Sequence, residues 1–351
     1  MRYERVFLDA IGYQLAPITV TSDELEERLA PLYETLHMQP GQLEALTGIA
    51  ERRWWEPNTP LATGAIAAGR KALAQSGIES TQLGALVYTG VCRDNFEPAT
   101  ACAVAGELGV APGTAVYDIS NACLGLINGI LDVANRIELG QIRAGMVVTV
   151  ETSREIIEVT LERLLADPTM ENYTRCLATL TGGSGAAAVV LTDGSFANTQ
   201  GHRLRGGMVQ TAPEHHELCR WGLAGAPTLH REQALPMEMD TDAVGVMRFG
   251  VELGGRTWDA FLAEMEWTTA DVDRTICHQV GGAHRDTVLA RIGIAAERDF
   301  STYSFLGNIG TVSLPITAAI AEEREALQRG ETVAFLGIGS GLNCLMLGFD
   351  W

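Results

Sequence analysis

One unit of sequence occurs twice in this chain, and it restricts the kind of fold that can hold it. In the first copy "YDISNACLG" leads into a helical run and then into "ELGQIRAGMVVTVE". In the second, "YSFLGNIGT" leads into a helical run and then into "LQRGETVAFLGIG". Each time a polar turn opens a helix, a glycine closes it and an apolar strand follows, which is how helices laid on a sheet are written. One step upstream in each copy a buried strand ends in a polar loop. "GALVYTGV" (84–91) runs into "CRDNFEP", and "RTIC" (274–277) runs into "HQVGGAH". Cys123 and Asn308 therefore hold equivalent turns, and Glu97 and His278 hold equivalent loops. Packed about a pseudo-twofold axis, these four loops meet at the C-terminal ends of the strands, where α/β sheets bind ligands.

The remaining pattern agrees with an α/β chain. Strands are expected at 84–91, 144–151 and 274–277, with two more inside 332–349, and helices at 99–108 and 124–139. The stretch 201–240 reads as irregular. A length of 351 residues suits two halves, divided here as 1–195 and 196–351. The chain is 46% hydrophobic and 20% charged, the balance of a globular enzyme. Its net charge of −19, with no basic run, argues against nucleic acid as a partner. No apolar run reaches the roughly 18 residues of a membrane span, and the start does not resemble a signal peptide. The seven cysteines are scattered and odd in number, without a C-x-x-C pair. They read as reduced thiols of a cytoplasmic protein, not as a disulfide framework or a zinc site.

Most cysteines are small core residues, but Cys123 stands at a polar turn before a helix. There the unpaired N–H groups and the dipole end are expected to lower its pKa toward the reactive thiolate. Asn121, Ala122 and Gly125 leave room for a substrate. His278 alone would be a satisfied structural histidine, and Asn308 alone a turn residue. Together the three form a chemical set. The cysteine takes an acyl group from a thioester, and the histidine and asparagine hydrogen-bond the oxygen of a second thioester as it becomes an enolate.

"GIGSGLN" (337–343) lacks the Lys-Ser/Thr of a phosphate loop. It reads as a close backbone approach, with the N–H near Ser340 and that of Cys123 itself as donors to the acyl oxygen. "ERRWW" (51–55) has two readings. Arg52, Arg53 and Trp54 would either clamp an adenine and its phosphates or form a strand with its aromatics turned inward. Ser184 in "GGSGA" precedes a strand and reads as structural. His215 and His216 read as a solvated pair, so no metal site is expected.

"NACLG" at Cys123, "HQV" at His278, "GNIGTVSLP" at Asn308 and the terminal "GIGSGLN" resemble the thiolase superfamily, and most closely ketoacyl-acyl carrier protein synthase III. The motifs run in family order along the whole chain. The resemblance implies a duplicated βαβαβαββ unit in five layers αβαβα, a homodimer, Cys123 as acyl acceptor, and His278 and Asn308 as oxyanion partners.

The loop "VCRDNFEPATA" (91–101) carries Glu97 where an ordinary synthase III has an aromatic residue that reaches into the partner's acyl pocket. This form resembles the olefin-biosynthesis branch, which joins two long-chain acyl-CoA molecules head to head without decarboxylation. On that likeness Glu97 is a general base supplied across the dimer, and Phe96 beside it contacts substrate. A salt bridge from Glu97 to Arg93 is the plain alternative. Coenzyme A thioesters are then substrates, no metal or redox cofactor is required, and other enzymes of the pathway are possible partners. Leu46 stands where synthase III has an arginine before "TGI", which weakens the case for an acidic carrier protein as donor. The rival readings are a decarboxylating synthase III using malonyl-carrier protein and a non-catalytic acyl-binding subunit.

Overall fold

The computed structural model describes residues 1–196, 201–223 and 237–351. Its strands are β1 Phe7–Leu15, β2 Ile18–Thr21, β3 Glu51–Trp54, β4 Ala85–Tyr88, β5 Ala115–Asp118, β6 Ala144–Glu151 and β7 Gly185–Thr192, followed by β8 His202–Thr211, β9 Cys219–Leu223, β10 Met237–Thr241, β11 Arg274–Cys277, β12 Thr332–Gly339 and β13 Asn343–Asp350. Nine of them form one sheet in the order β11-β12-β13-β8-β1-β7-β6-β4-β5.

The sheet contains the same pattern twice. Outward from β1, β7 and β6 pair antiparallel, and β4 and β5 then add in parallel. Outward from β8, β13 and β12 pair antiparallel and β11 adds in parallel. A parallel bridge from Thr275 to Asp299 stands where β5 does in the first leaf. Between β1 and β8 the ladder holds only Phe7 opposite Arg203 and Leu8 opposite His202.

Burial follows from this. Helices Gly125–Glu138 and Ser313–Glu323 lie between the two leaves, and their Leu126, Ile130, Leu314 and Ala318 share one core with Val147, Val189, Phe335 and Leu345. The second of these helices is buried on every side from Ser313 to Ala321, as an inner helix must be. Helix Leu61–Ser76 covers the outer face of the first leaf with alanines 62, 65, 68 and 72. Helix Ala243–Met265 covers the outer face of the second with Leu253, Trp258 and Phe261. The result is five layers, helix–sheet–helix–sheet–helix. No helix among the described residues is long and apolar enough to cross a membrane.

The stretch 201–240 is not irregular as its sequence suggested. Residues 202–211 are β8, at the centre of the sheet, and β9 pairs with β10 as a separate hairpin. β8 escapes an apolar-pattern reading because Gly206 and Gly207 interrupt it. A Cβ at Gly206 would lie 2.3 Å from the Met1 carbonyl oxygen, so the glycine admits a neighbouring backbone. Residues 197–200 and 224–236 fall outside the described residues.

Candidate active site

After β5 the chain passes through one 3₁₀ turn, Ala122–Leu124, before helix Gly125–Glu138 begins. Ala122 takes φ +45°, a left-handed value that costs a non-glycine residue on the order of 1–2 kcal/mol. That sharp turn sets Cys123 at the strand–helix junction. Three contacts hold it there. Asn343 Nδ2 donates to Asn121 Oδ1 (2.9 Å), and Asn121 Nδ2 donates to Asn128 Oδ1 (3.0 Å), tying the turn to the glycine-rich segment and to its own helix. The Leu126 N–H donates to Thr311 Oγ1 (2.7 Å), tying it to the Asn308 turn. A Cβ on Gly339 would come 3.4 Å from the Cys123 nitrogen, so the glycine-rich segment does make the close approach read from its sequence.

Cys123 is half-buried in the wall of a cavity of about 420 Å³. Asn308 and Ser340 line the same cavity, with Glu151, Ile156, Trp221 and Met239 among the other walls. Asn308 is held by its backbone, its N–H donating to Thr181 O and its carbonyl accepting from Gly183 N–H, both at 2.9 Å. Its Oδ1 accepts the Gly310 N–H (3.0 Å), so the amide offers its NH₂ end as a donor to whatever enters. Gly182 and Gly183 also line the cavity. "GGSG" is therefore a backbone wall, and Ser184 accepts the Ser153 N–H (3.1 Å) in the core.

The expected thiolate is not what the electrostatics give. Burial, with Cys219 and Glu151 nearby, pushes the Cys123 thiol up to about 12. The physical reason is that desolvation outweighs the thiol's own backbone N–H, which favours the anion.

His278 follows β11 directly, and its N–H donates to Leu336 O (2.7 Å). The structure does not bring it onto the wall of the Cys123 cavity. It lines a separate hollow of about 30 Å³ with Gly337, Ile338 and His284. The imidazole is buried, its Nδ1 has no hydrogen-bond partner, and burial beside His284 drops its pKa to about 3, so the ring is neutral.

The loop after β4 is fixed at three points. Glu151 Oε1 and Oε2 accept the Val91 and Cys92 N–H groups at 2.8 and 3.0 Å. Asp94 caps helix Leu61–Ser76 through the Leu61 and Ala62 N–H groups. Asp118 caps helix Thr100–Leu108 through the Thr100 and Ala101 N–H groups, both at 3.0 Å. Glu97 and Phe96 project from this anchored loop into solvent, Phe96 at 93% exposure, and neither lines the cavity of its own chain. The carboxylate beside Arg93 is Asp118 (3.9 Å), not Glu97.

The "ERRW" residues resolve toward the second of their two readings. They form β3, paired with β2. Arg52 is fully buried and donates to Ser22 Oγ (3.1 Å) and Leu180 O (3.3 Å), and Trp54 is in the core with Arg154 over its ring. Neither can reach a coenzyme, because strand alternation turns both inward. Arg53 faces the other way, half-buried and 3.5 Å from Glu51, away from the cavity.

Sequence reasoning missed two contributors. The β9–β10 hairpin roofs the cavity with Cys219, Trp221 and Met239, and it lies in the stretch read as irregular. Glu151 was seen only as the end of a strand. A carboxylate closing seven buried residues, "AGMVVTV", is the signal that would have found it. Among the described residues no group of three or more His, Cys, Asp or Glu is placed to hold a metal ion.

Residues 262–351 match the family model described as 3-oxoacyl-[acyl-carrier-protein] synthase III C terminal. The chain is similar to an acyl-CoA:acyl-CoA alkyltransferase of Shewanella oneidensis, 56% identical with 100% of both chains covered. It is similar to the protein of that name in Xanthomonas campestris pv. campestris, 35% identical with 100% of both covered. A crystal structure of a Xanthomonas campestris OleA variant with bound lauric acid and lauroyl-CoA superposes with a TM-score of 0.91, at 34% identity, over 99% of this chain and 100% of that one.

Proposed function

The chain belongs to the acyl-CoA:acyl-CoA alkyltransferases, thiolase-fold condensing enzymes, and we propose that it joins two long-chain acyl-CoA molecules at Cys123 with a carboxylate lent by a second copy of itself. The Cys123 sulfur attacks the first thioester. The carbon–sulfur bond to coenzyme A breaks, and the thiol proton leaves with it as free coenzyme A. The acyl oxygen is held by the N–H groups of Cys123 and Ser340.

A second acyl-CoA then loses its α-proton to Glu97 of the partner subunit. A malonyl unit would generate its carbanion by losing CO₂, but a simple acyl chain needs a base. Asn308, through its NH₂, stabilises the enolate oxygen, and the neutral imidazole of His278 is the second donor once it turns from its own hollow toward the cavity. The carbanion attacks the acyl–Cys123 carbonyl, the carbon–sulfur bond to Cys123 breaks, the proton taken by Glu97 returns to the sulfur, and a 2-alkyl-3-ketoacyl-CoA is released. Both halves, 1–195 and 196–351, contribute to this site. The chemistry requires no metal or redox cofactor, and the enzyme works in the cytoplasm as a homodimer feeding olefin biosynthesis.

One observation carries the reading. The loop bearing Glu97 is pinned by three carboxylates, yet its tip holds a 93%-exposed phenylalanine and a carboxylate outside its own cavity. A rigid loop with an exposed aromatic tip is built to enter something else.

The test is incubation with myristoyl-CoA alone. Two coenzyme A released per condensed product, with no CO₂, is expected. Glu97→Ala should still acylate Cys123 but form no product, and mixed dimers of Glu97→Ala with Cys123→Ala chains should regain condensation. A requirement for a malonyl thioester, or full condensation by Glu97→Ala, would overturn the proposal.

A further inference from the structure

We infer that Glu151 is a positioning residue for the condensation: its carboxylate clamps the root of the Glu97 loop against the Asn308 turn, so that the base leaves its own chain at a fixed angle. The inference rests on the reading of Glu97 given above.

The geometry is specific. Glu151 is the last residue of β6, paired in register with Gly185 at the start of β7. It is 4% exposed and lies on the wall of the Cys123 cavity. Each carboxylate oxygen takes one of two successive backbone N–H groups, Val91 and Cys92. Those are the residues from which the loop departs after β4. On its other side the carboxylate meets Gly310. A Cβ there would be 3.6 Å from Oε1, so the Asn308 turn packs directly on it with no side chain between. Trp55 Nε1 donates to the Glu151 carbonyl oxygen (3.1 Å), fixing the end of the strand itself.

Asp94 and Asp118 cap helices, which any small N-cap residue can do. Glu151 has no helix to cap. Burying a carboxylate costs several kcal/mol unless hydrogen bonds replace its water. Here burial raises its pKa to about 7 even though the Val91 and Cys92 N–H groups and the charge of Arg93 oppose the rise. The fold keeps an unfavourable group at the one point where the loop root, the Asn308 turn and the Cys123 cavity meet.

The test separates the two half-reactions. Glu151→Gln keeps the shape but turns an NH₂ toward one of the two N–H donors. Acyl–Cys123 formation, followed by mass spectrometry, should not slow, because the substitution removes a charge that holds the nearby thiol protonated. Condensed product per acyl-enzyme should fall by about tenfold or more, with hydrolysis in its place, the effect expected of a misaimed base. Glu151→Asp keeps the charge with a shorter reach and should fall between the two. Where Glu151→Gln does not fold, the comparison on Glu151→Asp decides. Equal loss of both half-reactions in a folded protein would overturn the inference, as would no loss in either variant. Glu97→Ala is run alongside: if it still condenses, the reading of Glu97 fails, and if it is dead while both Glu151 variants are unimpaired, only this inference fails.

Discussion

Gly125 presses against the carbonyl oxygen of Thr89: a Cβ on Gly125 would lie 2.1 Å from that oxygen. This contact seats the first turn of the Cys123 helix on the end of β4, where the Glu97 loop begins. The obstacle is backbone, not the movable end of a side chain. Gly125→Ala should therefore push the helix away, with a cost of about 1–3 kcal/mol for overpacking. The expected result is a melting temperature lower by several degrees, with slower acylation of Cys123 by acyl-CoA. An unchanged melting point and acylation rate would mean that the two elements are not in contact.

Arg52 tests where the coenzyme does not bind. Its guanidinium is buried and bonds Ser22 Oγ and Leu180 O, so its loss leaves a hole and unsatisfied acceptors. Arg52→Ala should lower stability by about 2–4 kcal/mol, read by denaturant unfolding. In the fraction that remains folded, KM for acyl-CoA should stay close to the wild-type value. A stable variant with a greatly raised KM would restore Arg52 as a coenzyme ligand.

The residues differ in how far their sequence betrayed them. Cys123 and Asn308 could be read because each stands at a polar turn between a strand and a helix, and the repeat makes the two turns equivalent. Strands β4, β6, β11, β12 and β13 and the helices over 99–108 and 124–139 could be read because runs such as β6 are apolar and buried throughout. β8 could not, because its glycines serve backbone neighbours distant in sequence. The roof of the cavity could not, because Trp221 and Met239 face the Cys123 turn only after β9 and β10 pair. The protonation state of Cys123 was misread for a related reason. A helix terminus is visible in sequence, but the burial that raises the thiol's pKa is a property of the assembled layers.

His278 sets an acid limit on stability. Its folded pKa is about 3 against 6.5 for the free group, and that of its neighbour His284 is about 4. Both stay neutral in the fold. Above pH 6.5 the unfolded chain is neutral too and nothing is lost. Below it the unfolded chain gains protons that the fold refuses. Stability should then fall by about 1.4 kcal/mol per pH unit for each group until the folded pKa is reached. Melting curves at pH 7.5 and 4.5 check this. The drop should be smaller in His278→Gln than in the wild type, and an equal drop in both would show that His278 is not buried neutral.

Trp221 bears on chain length. It stands half-buried on β9 and lines the cavity with Met239 opposite it in the pairing register. The indole fills space that an acyl chain bound to Cys123 would otherwise occupy. Trp221→Ala should lengthen the usable cavity and move the optimum of kcat/KM to acyl-CoA substrates longer by several methylenes. Each methylene newly accommodated is worth about 0.8 kcal/mol, so with two methylenes between them the discrimination between neighbouring even chain lengths should change by roughly 15-fold. The measurement is a competition among saturated acyl-CoA substrates of graded length, with products resolved by mass. A profile that keeps its optimum and only loses height would mean that the acyl chain runs from Cys123 in another direction, away from the β9–β10 hairpin.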